Sequence, residues 1–101
     1  MDIEYELRGI RFRWNEDKAK LNIKNHDGVS FELAAQVFFD PFIQHQDASR
    51  NQEKREGAVG CDFSFRLLFV VHLDIEDDFI RIISARKAES QERNNYETGH
   101  Y

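Results

Sequence analysis

The chain has 101 residues, 41% of them hydrophobic with nine Phe, and a net charge of −5. That fits one domain with a real core and excludes a disordered chain; no apolar run approaches the roughly 18 residues of a membrane span. The lone Cys61 excludes an internal disulfide and a Cys-rich zinc site, and the acidic start "MDIEYELRGI" is not a signal peptide, so a cytoplasmic location is expected.

In chain order, "IEYELRGIRFRW" alternates loosely and predicts a short strand or strand pair. Asn15 then supplies a helix cap, Glu16 and Asp17 suit the first turn, and Lys20 and Lys24 suit the last. This helix is expected to stop near His26, with Asp27–Gly28 as the turn. Ser30 caps a second helix that buries Phe31, Ala34, Ala35 and Phe38 on one face, and Pro41 ends it. Strands follow at Phe42 to Asp47, Glu53 to Phe63, Phe65 to Leu73 and Phe79 to Ala85. Gly57 and Gly60 weaken the second of these and suggest a bulge. The acidic "DIEDD", Asp74 to Asp78, is expected to join the last two as a hairpin loop. Ser84 is expected to cap a polar final helix from about Ala85 to Tyr96. The predicted fold is α+β: a short N-terminal strand, two helices, an antiparallel meander of three to four strands and a C-terminal helix, with the helices on one side of the sheet.

Charge is unevenly spread. Arg8, Arg11, Arg13, Lys18, Lys20 and Lys24 face only Glu16 and Asp17 in their stretch, and Arg81, Arg86, Lys87 and Arg93 crowd the predicted last strand–helix junction. A local basic patch attracts phosphate even on an acidic protein. No P-loop, GxGxxG, HExxH or GxSxG is present, and the four His show no ligand spacing. His72 reads as a histidine packed in its strand with one satisfied nitrogen, and His45 as a residue without a function. His26 ends a basic helix beside a glycine turn. Its bland role is that of a favourable cation at a helix C-terminus.

"FRWNEDKAKLNIKNHDGVSFELAAQVFFDP" resembles the BrnT family of ribonuclease toxins, whose pattern runs close to F-x-W-D-x-x-K-x-x-x-N-x-x-K-H-G-V-S-F before a helix ending V-F-x-D. Phe12, Trp14, Lys18, Asn22, His26, Gly28, Val29, Ser30, Phe31, Val37, Phe38 and Asp40 carry it. Arg55 to Gly60 and "IRIISARKAESQERNNY" are similar to two further blocks, so the likeness covers about residues 12–96 of a single 1–101 domain. Asn15 replaces an Asp, Asn25 stands where a Lys precedes the His, and Asp27 is inserted before Gly28. The resemblance implies a RelE-like fold and the toxin of a type II toxin–antitoxin pair. Its implied partners are RNA, a small BrnA-like ribbon-helix-helix antitoxin and, through that antitoxin, operator DNA.

Metal-free RNA cleavage needs a base for the 2′-OH, an acid for the leaving oxygen and cations for the phosphorane. Arg81, Arg86 and Arg55 suit the last task through their planar donor forks, and His26 and Glu53 are candidate proton carriers. Lys18, Lys24, Lys87, Arg93 and Tyr96 are candidate RNA contacts, Tyr96 either stacking on a base or anchoring the last helix. No metal or cofactor is expected. The alternative is a non-catalytic nucleic-acid-binding or co-repressor module, or a toxin relative that has lost activity. Its arginines would serve binding or fix the last helix.

Overall fold

A computed structural model describes residues 1–75 and 78–99. Strands β1 (Asp2–Leu7) and β2 (Ile10–Asn15) form a hairpin. Its two-residue turn, Arg8–Gly9, has positive φ at both positions (50° and 86°), the twist a tight hairpin needs. Helices α1 (Glu16–Asn25) and α2 (Phe31–Gln36) follow, α2 running on as a 3-10 turn over Val37–Phe39. Then come β3 (Gln44–Asp47), β4 (Glu56–Cys61), β5 (Leu67–Ile75), β6 (Phe79–Lys87) and α3 (Ser90–Thr98).

Both early helices start where their caps predict. Asn15 Oδ1 accepts the Lys18 N–H at 3.0 Å and Ser30 Oγ accepts the Leu33 N–H at 3.1 Å. His26 closes α1, and the chain then turns through Asp27 and Gly28, both at positive φ (52° and 79°). Gly28 takes that conformation without the penalty a side chain brings.

The sheet has six strands in the order β1-β2-β6-β5-β4-β3. The predicted antiparallel meander is β3 to β6, but the count of three to four strands is too small for the whole sheet. The N-terminal segment is a strand pair rather than one short strand, and β2 joins the meander parallel to β6 (Arg11↔Phe79, Phe12↔Ile80, Arg13↔Arg81). The sheet is therefore mixed. Of the predicted "DIEDD" loop, Glu76 and Asp77 lie outside the described residues; Asp74 still belongs to β5.

Side chains alternate across each strand, and the two faces carry different cores. On one face Phe12, Trp14, Leu68, Val70 and Ile82 pack under Val29, Phe31, Ala34 and Ala35 of the helical segment. Trp14 meets Phe31 edge-on at 5.8 Å. The other face holds a smaller cluster of Val59, Leu67 and Phe69, onto which Tyr96 of α3 packs. Helices thus lie on both faces, where one was expected, because strand neighbours Leu68 and Phe69 each need cover.

The last helix also starts later than predicted. β6 continues to Lys87, which pairs with Leu68, so Ser84 caps nothing. Glu89 is the N-cap, and the Glu92 carboxylate accepts its N–H at 2.8 Å. Pairing with β5, a non-local gain, outweighs the local polar pattern that suggested a helix from Ala85.

Gly57 and Gly60 mark close approach, not a bulge; β4 keeps unbroken register with β5. A Cβ on Gly57 would lie 2.6 Å from Phe69 Cε1, and one on Gly60 would lie 2.8 Å from Val37 Cγ1 and 3.2 Å from the Val37 carbonyl oxygen. Gly60→Ala is expected to cost about 1–3 kcal/mol, read as a Tm drop of about 4–8 °C per kcal/mol. An unchanged Tm would show that the 3-10 turn yields freely.

Candidate nucleic-acid interface

The bulge in the sheet lies in β6. His72 pairs with Ile82 and Val71 with Ser84, leaving Ile83 as the extra residue. Its effect is on side-chain direction. Ile82 and Ala85 both face α1 and α2, although strict alternation would separate residues three apart. Arg81 and Arg86, five apart, therefore share the opposite face. Both crowd the predicted strand–helix junction in sequence; in the structure they lie on one inner strand and share a face through this bulge, not through a helix start.

Around Arg81 the face is a row of charges. Arg13 is its register neighbour on β2, and Glu4 is Arg13's neighbour on β1. Arg81 donates to Asp2 at 2.6 and 3.4 Å, and Arg13 donates to Glu4 at 3.2 Å. The Arg81 hydrogen bond holds the Asp2 carboxyl below the usual carboxylate range. Arg13 also lies over the Phe79 ring, 4.0 Å from its centroid, with Arg11 at 5.5 Å.

Arg86 is held more firmly. Its two terminal nitrogens donate to the two Glu92 oxygens at 2.8 Å each, Glu89 lies at 3.6 Å, and its guanidinium sits 4.5 Å over the Phe69 ring. The Glu92 hydrogen bonds raise the Arg86 pKa further above its ordinary value. This fork joins β6 to α3.

The remaining predicted residues fall elsewhere. Lys24 and His26 occupy the end of α1, and Asp27 of the same turn lies 3.8 Å from Lys87 Nζ at the end of β6. Those three therefore gather at the Arg86 end of the strand. Glu53 and Arg55 pair with each other at 2.8 Å in the β3–β4 loop, two strands away from β6. Lys18 and Arg93 are exposed on α1 and α3. Tyr96 donates its hydroxyl to Asp40 Oδ2 at 2.5 Å, and the Cys61 N–H donates to the same oxygen at 2.8 Å. Burial, then the Asp40 hydrogen bond, push the phenol pKa upward, so Tyr96 stays a donor and anchors α3.

Three residues lie outside the predicted site set. Arg13 and Asp2 flank Arg81 only because β1 and β2 dock on β6, a long-range event. The alternation of "IRFRW" did carry a signal, since Arg11 and Arg13 must oppose Phe12 and Trp14. Asn22 is buried, and its amide bonds the backbone of Ala85 in both directions. His72 departs from the packed histidine with one satisfied nitrogen: neither ring nitrogen has a hydrogen-bond partner.

A mixed sheet with α1 and α2 on one face, and on the other α3 beside a row of carboxylate-paired arginines, defines a small α+β protein. Residues 14–92 match the profile of a family described as the ribonuclease toxin, BrnT, of type II toxin–antitoxin systems, and the chain belongs to that family. Membership implies a protein antitoxin and an RNA substrate. Among solved structures, the Brucella abortus ribonuclease toxin BrnT, a 1.1 Å crystal structure, is similar in fold. Its TM-score is 0.52 at 21% identity, over 76% of this chain and 94% of that one. No curated protein sequence matches the chain. No described helix is long and apolar enough to cross a membrane. Strand β1 and most of β2, and with them Asp2 and Glu4, precede the family match.

Proposed function

We propose that this protein is a toxin endoribonuclease, one domain of RelE-like type, that cleaves cytoplasmic RNA without a metal at the scissile phosphate. In this reading the 2′-OH attacks its own phosphate, and loss of intact RNA blocks translation. The observation that carries it is the β6 bulge, which turns Arg81 and Arg86 to one face of the sheet in a chain of a ribonuclease family. Planar guanidinium groups aimed at developing phosphorane charge stabilise it most where they are fixed in advance. Arg81 has a fork already shaped by the Asp2 carboxylate, which a phosphate would replace.

His26 is the better-supported proton carrier. Its turn adjoins Lys87, next along β6 from Arg86 but on the α1 side of the sheet, at the strand end around which RNA would have to pass, whereas Glu53 is held by Arg55 at the far edge. Arg55 then serves RNA positioning, with Lys18, Lys24, Lys87 and Arg93 along the backbone path and Tyr96 holding α3. The antitoxin is taken to be BrnA-like, a ribbon-helix-helix protein that carries the pair to operator DNA.

One observation favours a second reading. Both Arg81 and Arg86 are neutralised by carboxylates within the chain, as suits a non-catalytic binding or co-repressor module or an inactive relative. Incubating the purified chain with single-stranded RNA separates the two. Fragments ending in 2′,3′-cyclic phosphate and 5′-hydroxyl are expected. Fragments with 5′-phosphate would overturn the mechanism, and intact RNA with soluble, antitoxin-free protein would favour the second reading.

A further inference from the structure

We propose that Glu56, His72 and Asp74 form a binding site for a divalent transition-metal ion of the zinc type. The argument starts from register. Glu56 on β4 pairs directly with His72 on β5, and Asp74 lies two residues further along β5 on the same face. That face continues from Leu68 and Val70, so the three side chains sit at the helix-covered side of the sheet, beyond the apolar core. One donor atom from each lies within 4.8 Å of the others. Together they line a cleft of about 350 Å³, shared with Lys54 and Leu73.

His72 points to a ligand. It is 1% exposed, and neither ring nitrogen has a hydrogen-bond partner. A buried polar group left unpaired in this way is costly, and native proteins rarely keep one without a reason. Asp74 Oδ1 is 3.5 Å from His72 Nδ1, too far for a good hydrogen bond. It is close to the edge of a tetrahedron of zinc bonds, about 3.3 Å for bonds of about 2.0–2.1 Å.

The surroundings fit the same role. Phe38 packs edge-on against the imidazole at 4.9 Å and fixes its plane. The ring of His45 on β3 lies 6.3 Å away, centroid to centroid, and crosses the imidazole edge-on. Imidazole with two carboxylates selects a borderline divalent ion rather than a thiolate-seeking one, and the two carboxylates offset its charge. Asp74 is exposed and free to close on the ion. Arg81 and Arg86 lie on the opposite face, so the ion would clamp β4 to β5 and stay away from the RNA chemistry.

The test uses the full chain, stripped with EDTA and titrated with zinc chloride by calorimetry and by thermal melting, with cobalt chloride as a visible-absorption probe. One zinc ion per chain is expected. Tm should rise by about 10 °C at a hundredfold excess over Kd, and cobalt should give the intense bands of a four-coordinate site. The double variant Glu56→Gln, Asp74→Asn changes two side chains outside the core. It should fold, keep its RNA cleavage and bind zinc about tenfold more weakly or worse. Wild type that gains no heat signal and no Tm shift would overturn the proposal, as would a folded double variant that binds zinc as tightly as wild type. Both readouts are independent of cleavage, so they stand whether or not the chain proves to be an active ribonuclease.

Discussion

Arg81→Ala is expected to slow RNA cleavage about 10²- to 10³-fold, the loss that follows when one preorganised donor to a developing anion is removed. The side chain is one-quarter exposed and paired with Asp2, itself at the surface, so its removal leaves the core intact and the protein folded. Arg81→Lys should recover only part of the rate, because an ammonium lacks the bidentate fork. Asp2→Asn works in the other direction. Asp2 occupies the place a phosphate would take, and the Arg81 hydrogen bond lowers its pKa and so keeps it ionised; without that charge, RNA should bind a few-fold more tightly and salt should weaken that binding more steeply. Single-turnover cleavage of a defined RNA, with binding measured on a non-cleavable analogue, reads both effects. Equal rates for wild type and Arg81→Ala would remove this arginine from the chemistry. Unchanged binding by Asp2→Asn would make the β1 acids bystanders.

Much of this fold is legible because it is written locally. Asn15 and Ser30 announce α1 and α2 through single side-chain oxygens that can be read without knowing the rest of the chain. The apolar run from Leu67 to Leu73 announces β5 as a strand. What escapes is what distant segments decide together. Ile83 looks like any other residue of an apolar strand, yet it is the one that β5 leaves out of register. Only the paired strands show that Arg81 and Arg86 face the same way. Ser84 is a good local cap, overruled by ladder pairing that runs on to Lys87, and Glu89 with Glu92 is the cap instead. The basic cluster near the end of the chain was visible as charge. Its partners were not, since Asp2 reaches Arg81 across 79 positions of sequence, and Glu56 and His72 meet only through β4 and β5.

Asn22→Ala should lower stability more than any surface change. β2 leaves the sheet after Arg13 pairs with Arg81, while β6 runs on to Lys87. On that edge the N–H and C=O of Ala85 would face buried space with no strand beside them. The Asn22 amide takes the strand's place: Oδ1 accepts the Ala85 N–H at 3.1 Å, Nδ2 donates to the Ala85 oxygen at 2.8 Å, and its second hydrogen reaches the Val29 oxygen at 2.9 Å. Alanine leaves three buried backbone groups without partners. Each costs about 1–3 kcal/mol if unrelieved; partial relaxation brings the expected total to about 3 kcal/mol. The urea midpoint should fall with the slope unchanged, and hydrogen exchange at the Ala85 amide should accelerate before the rest of β6. Asn22→Asp should fare no better, because a carboxylate would face two carbonyl oxygens with nothing to donate. A loss below about 0.5 kcal/mol, the range of ordinary surface changes, would mean that water replaces the amide. Since Ala85 precedes Arg86, the same amide fixes the arginine's strand against α1. A folded Asn22 variant should therefore cleave RNA more slowly than its stability alone accounts for.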